Sequence, residues 1–149
     1  MYHKSQYTPK NPQKYTGNLS NIICRSSWER KFYIWCDTNP SIVGWVSEEI
    51  VIPYISPLDG KRHRYFVDVK IVVKDESNNT KTYLVEIKPY AQTIQPNEPK
   101  RKSPKFLNEV ATWYVNSAKW IAAREYCTSR GWQFMLVTEY ELGLKKRTK

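Results

Sequence analysis

Two short stretches of this chain carry residue types that could do chemistry together. Phe66-Val67-Asp68 sets a carboxylate in an apolar run, and Glu86-Ile87-Lys88 sets a second carboxylate two residues from an amine. Both runs read as β-strands. Residues i and i+2 of a strand leave the same face, roughly 7 Å apart at the backbone, so Glu86 and Lys88 point the same way. Asp68 lies on the neighbouring strand. If the register turns it toward that face, two carboxylates and an ammonium share one small volume. Close carboxylates raise one another's pKa, and burial raises it further. A hard divalent cation, Mg²⁺ or Mn²⁺ in its place, relieves that cost, and the backbone carbonyl of Ile87 offers it one more oxygen. Such an ion acidifies bound water and polarises a phosphoryl oxygen. Lys88 would either stabilise the developing charge or help deprotonate the attacking water, and the sequence fits both roles. The expected chemistry is phosphodiester cleavage. The ordinary alternative makes Asp68 and Glu86 outer-face charges paired with Lys70 and Lys88, worth little. Pro89, which closes the strand directly after Lys88, favours the first reading, because sites collect at strand ends.

Glu29 is a third candidate ligand. Ser26-x-x-Glu29 is also a capping box, which accounts for the glutamate without any metal. Lys100-Arg101-Lys102 and Lys105 precede and enter a helix N-terminus, where cations and free amides suit backbone phosphates; a solvated charge run is the alternative. Trp113 and Trp120 are expected in the core rather than as platforms for bases. His3 and His63 are the only histidines and have neither metal-ligand spacing nor triad partners. No glycine-rich phosphate loop occurs, which excludes ATP hydrolysis, and no base-reading module is visible.

The elements that must position these residues follow from periodicity. Ser26 to Thr38 reads as a helix with Trp28, Phe32 and Trp35 on its inner side, stopped at Asn39-Pro40. Ile42 to Ile55 reads as a strand, bent at Ser47-Glu48, and His63 to Val73 as the clearest strand. In the latter Tyr65, Val67, Val69, Ile71 and Val73 share one face, and Phe66, Asp68, Lys70 and Val72 the other. Lys81 to Lys88 follows after a polar loop. A basic loop over 89–102 leads to a long helix capped by Ser103-Pro104, ending at Arg130 before Gly131. Leu107, Val110, Tyr114, Ala118 and Ile121 are its expected inner stripe. Trp132 to Thr138 is the last strand, and after a long helix it should join the sheet in parallel. The order is αβββαβ, an α/β class with a mixed sheet flanked by helices. Residues 1–20 look like a polar arm that folds only by docking, 21–140 like one domain, and 141–149 like a basic C-terminal tail.

The composition suits this chemistry. The 149 residues carry a net charge of +10, with 40% hydrophobic and 14% aromatic residues, so a folded domain with affinity for a polyanion is expected. A nucleic acid is the expected partner. No long apolar run or basic amphipathic helix suggests a membrane. Cys24, Cys36 and Cys127 form neither a CxxC pair nor a disulfide framework, and are expected as packed, reduced thiols of a cytosolic protein.

With Glu29, Asp68, Glu86 and Lys88 on helix, strand, strand and strand, the chain resembles the PD-(D/E)xK nuclease superfamily and its restriction-endonuclease-like core. The signature proline is absent, since Val67 precedes Asp68, while Glu86-Ile87-Lys88 keeps the E-x-K half. That resemblance implies that Glu29, Asp68 and Glu86 hold metal and that Lys88 is the catalytic lysine. Four further runs, Ser26-Ser27-Trp28-Glu29, Trp35-Cys36-Asp37-Thr38-Asn39-Pro40, His63-Arg64-Tyr65-Phe66-Val67-Asp68 and Leu84-Val85-Glu86-Ile87-Lys88-Pro89, together with Asn116-x-x-Lys119-Trp120, carry a narrower likeness. They look like the head-completion nucleases of large contractile-tailed bacteriophages and are similar to the endonuclease subunits of heteromeric transposases. The likeness spans about residues 20 to 140. It implies a virion enzyme, assembled in the host cytoplasm, that trims or cuts packaged DNA so that the tail can join, with head or neck proteins as partners. Asn116 and Lys119 would help hold the site or the DNA. A DNA-binding adaptor at the head–tail vertex and a transposase-type strand cleaver are the alternatives.

Overall fold

The computed structural model describes residues 3–145; residues 146–149, the end of the expected basic tail, lie outside the described residues. Helix α1 (Ser27–Thr38) begins where its cap demands, with Ser26 Oγ accepting the Glu29 N–H at 3.1 Å. Its buried residues are Phe32, Tyr33, Cys36 and Asp37, whereas Trp35 is exposed. Of the expected inner residues, Phe32 is buried and Trp28 packs against the core, but Trp35 is displaced outward because Tyr33 and Cys36 fill the core instead.

Strands β1 (Ser5–Gln6) and β2 (Ile23–Cys24) form a short antiparallel pair. The two long strands expected over 42–55 and 63–73 are each broken in two. They form β3 (Ile42–Ser47), β4 (Val51–Ile55), β5 (Arg62–Phe66) and β6 (Val69–Lys74). Both breaks fall at one level. Glu48 takes a left-handed φ of 57°, its N–H reaches the Asp68 carbonyl at 3.0 Å, and the Val67 N–H reaches the Ile50 carbonyl at 3.0 Å. The hairpin thus folds over as a unit. Its outer half, β4–β5, becomes a separate two-stranded ribbon that packs on the long helix α2 (Pro104–Arg130). Its inner half stays in a four-stranded sheet ordered β3-β6-β7-β8, with β7 (Thr80–Ile87) antiparallel to β6 and parallel to β8 (Gln133–Val137). The parallel closing strand and the mixed sheet between helices are as expected.

The core lies on both faces of that sheet. Val69, Ile71, Val85 and Ile87 pack with Tyr33 and Trp45 on the α1 side. Leu84 packs with Trp120, Ala123 and Cys127 on the α2 side. Tyr65 and Val67 also belong to the α2 side, so the single face expected for 65 through 73 is wrong: alternation changes phase at the break. The inner stripe of α2 is likewise corrected. Asn116, Trp120, Ala123 and Cys127 are buried, while Leu107, Tyr114 and Ile121 are exposed. Ser103 and Pro104 cap α2, and Gly131, at φ 72°, closes it with the Trp132 N–H on the Cys127 carbonyl at 2.8 Å.

The segment read as a docking arm docks on this chain itself. Tyr7 and Tyr15 are buried, and the Thr16 N–H reaches the Trp45 carbonyl at 2.9 Å. All three cysteines are buried free thiols. No helix among the described residues is long and apolar enough to cross a membrane.

Candidate active site

The break between β5 and β6 places Asp68. Strand β7 runs one residue pair beyond β6, with Val69 opposite Val85. There β6 has turned away, and the Ile87 N–H would lack a strand partner. Asp68 supplies one, its Oδ2 accepting from Ile87 at 2.8 Å. One bend therefore both ends the ladder and turns the carboxylate toward β7.

Glu86 alternates with Val85 and Ile87 and so leaves the α2 face with Leu84. It is 4% exposed. Its Oε2 lies 3.9 Å from Lys88 Nζ, and its Oε1 has no hydrogen-bond partner. Burial, then the Glu86 charge, pushes the Asp68 carboxyl well above the ordinary carboxylate range, with the Ile87 N–H and Lys88 opposing. The Tyr65 hydroxyl is buried, has no hydrogen-bond partner, and is held protonated by burial and by Glu86. Nothing in the sequence pointed to Tyr65, because the phase change at the break moves it to the acid side.

Asp68, Glu86 and Lys88 are thus brought together, with the Ile87 backbone between the last two. Glu29 is placed differently. Its Oε1 accepts the Arg25 N–H at 3.0 Å, closing the capping box one residue before the cap, and the Tyr33 hydroxyl at 3.4 Å. Burial raises its carboxyl pKa, the Arg25 N–H opposes this, and the Asp68 and Glu48 charges add to it, so Glu29 borders the site electrostatically. Among the described residues, no three His, Cys, Asp or Glu side chains gather closely enough to hold one metal ion.

Helix α2 supplies the opposite wall. Lys119 Nζ lies 5.6 Å from the Tyr65 ring centroid and 5.9 Å from that of Tyr54. Burial lowers its pKa, Glu86 and Asp68 oppose that, and Lys88 adds to it. Lys119, Asn116 and Lys88 line one open hollow of ≈ 440 Å³. Lys100, Arg101 and Lys102 are exposed, with Lys102 pairing Glu98 at 3.5 Å. Lys105 pairs Glu109 at 4.0 Å and lines a second hollow that shares Asn116 with the first.

A mixed sheet between helices, with an acid at a strand break facing an E-x-K strand, is the restriction-endonuclease-like arrangement. A family model described as TnsA-like endonuclease N terminal matches residues 39–139, which contain Asp68, Glu86 and Lys88 and leave Glu29 outside. A protein of Enterobacteria phage T4 named Head completion nuclease is 41% identical over 143 residues, covering 93% of this chain and 93% of that protein. No solved structure matches the chain. On these matches, the chain belongs to the TnsA-like endonuclease family of PD-(D/E)xK nucleases.

Proposed function

We propose that the chain is a divalent-metal-dependent deoxyribonuclease that cuts or trims packaged double-stranded DNA in phage head completion. The observation that carries this reading is Glu86: a buried carboxylate with an unpartnered Oε1, beside an Asp68 whose ionisation burial resists. A buried acceptor without a donor costs stability, and such atoms persist where a ligand completes them. Two carboxylates and the Ile87 carbonyl form a hard donor set suited to Mg²⁺ or Mn²⁺. When bound, such an ion supplies Lewis acidity at the phosphoryl oxygen and lowers the pKa of its water.

The chain's own residues do the rest. The Ile87 N–H fixes the Asp68 rotamer. Lys88, 31% exposed, carries its ammonium from Glu86 toward the groove, where it stabilises charge on the phosphate under attack. Lys119 does so from the α2 wall, held over two tyrosines. Glu29, with one oxygen committed to its helix cap, adds negative charge at the rim of the ion's surroundings. Lys100, Arg101, Lys102 and Lys105 meet phosphates farther along and position DNA without reading its sequence. The relative's name describes head completion. On this reading the present chain acts in the virion, assembled in the host cytoplasm, with other head or neck proteins as partners.

Incubation of supercoiled plasmid with Mg²⁺ tests the reading. The wild type should cut, and Asp68→Asn and Lys88→Ala should each lose at least about a hundredfold in rate. Equal cutting by all three, or none by the wild type with Mg²⁺ and Mn²⁺, would contradict it.

A further inference from the structure

The groove does not end at the cations. Asn108, Thr112 and Asn116, one turn apart along α2, line both the hollow that holds Lys88 and Lys119 and a second one of ≈ 760 Å³. This second hollow is walled by Trp113 of α2 and by Ala91, Ile94 and Pro96 of the loop that follows β7. Gln92 adds an amide to it. Asn116 is 4% exposed, and its Nδ2 donates to nothing. A buried amide without an acceptor is costly unless something arrives to accept from it. None of the cleavage chemistry above uses this atom.

The walls state the ligand. An indole beside aliphatic side chains takes a flat π-system, and amides pair with the polar edge of a base. The adjoining ammonium groups take the phosphate to which that base is attached. A base stacked inside a duplex cannot enter a side hollow; it must first be unpaired and turned out. Resting on the nuclease reading, we infer that this hollow binds one unpaired nucleobase next to the phosphate being cut, stacked on Trp113 and hydrogen-bonded to Asn116 Nδ2. The substrate is then DNA with a frayed end or displaced strand in preference to uninterrupted duplex. Trp113 and Trp120 part company here: Trp120 is a core residue, while Trp113 is only partly buried and faces the hollow.

The test is equilibrium binding without any divalent ion, so that cleavage does not enter. Two duplexes of equal length and charge are compared, one fully paired and one carrying 2-aminopurine in a terminal mismatch. The wild type should prefer the mismatched end by about tenfold, the value of one base–aromatic stack, with 2-aminopurine emission quenched on binding. Trp113→Ala should bring the ratio near one, and Asn116→Ala should lower it severalfold. Because Trp113 touches the core, Thr112→Phe, which fills the hollow from an exposed position, repeats the test without removing packing. Equal affinity of the wild type for both duplexes overturns the inference. So does a preference that survives both Trp113→Ala and Thr112→Phe. Plasmid cutting is read separately: preference without cutting upholds the base site and sinks the nuclease, and cutting without preference does the reverse.

Discussion

Two buried acidic centres of this molecule have opposite surroundings. Asp37, at the end of α1, is met by the Tyr7 hydroxyl at 2.7 Å, the Lys10 N–H at 2.7 Å and the Asn11 N–H at 2.9 Å. Burial would raise its carboxyl pKa, but these donors win and hold it below the ordinary value. Asp68 receives the Ile87 N–H, faces a second carboxylate that itself has an unpartnered oxygen, and is pushed up. The difference is in who completes the shell. Asp37 is completed by its own chain and clamps the N-terminal segment onto the core. Asp68 and Glu86 share one backbone N–H and the Lys88 ammonium, and on the proposed reading a cation completes them. A satisfied buried acid is architecture, and an under-satisfied pair at a strand break is a site.

Substitution should separate the two centres most widely in activity. Glu86→Gln removes a charge without changing shape, and plasmid cutting should fall by at least about a thousandfold while the fold melts no lower than the wild type. An active Glu86→Gln protein would erase the contrast. Asp37→Ala should do the reverse. Leaving three donors unmet costs about 3 kcal/mol, which lowers Tm by roughly 6–12 °C, while folded protein at low temperature still cuts. An unchanged melting curve would mean that the clamp is ornamental.

The pH dependence sharpens the comparison further. Asp37 has a lowered pKa, so its stabilisation is present above the ordinary carboxylate pKa and is lost as pH falls through the folded value. Asp68 has a raised pKa, so in metal-free protein its contribution is lost as pH climbs above the ordinary range through the folded value. Thermal melts should therefore show Asp37→Asn flattening the acid limb and Asp68→Asn flattening the fall above the ordinary carboxylate range. Identical slopes for Asp68→Asn and wild type above that range would refute the assignment. The smallest effect belongs to the outer cations. Replacing Lys100, Arg101 and Lys102 together by alanine should reduce the salt slope of DNA affinity by roughly two to three, measured by titration at several ionic strengths.

Much of this is legible in the sequence, because strand alternation and helix capping are local. Glu86 and Lys88 share a face by spacing alone, and Ser26, Ser103 and Gly131 mark the helix ends by chemistry alone. Three things are not legible. The break at Val67-Asp68 leaves no glycine or proline behind; it is imposed across strands by the turn at Glu48, so the change of phase that brings Tyr65 to the acids is a tertiary effect. The inner stripe of α2 is hidden because apolar Leu107, Tyr114 and Ile121 mimic a core face, whereas the true face carries a polar Asn116. Residues 1–20 read as an arm because the groups that gather the described ones, Asp37 and Trp45 among them, lie farther along the chain.

The central claim is that Asp68 and Glu86 complete their shells with a divalent cation, and a crystal soaked in Mn²⁺ tests it most directly. The account predicts one strong anomalous peak within bonding distance of both carboxylates and of the Ile87 carbonyl. A map with no peak there, or with the ion held elsewhere on the chain, would contradict it.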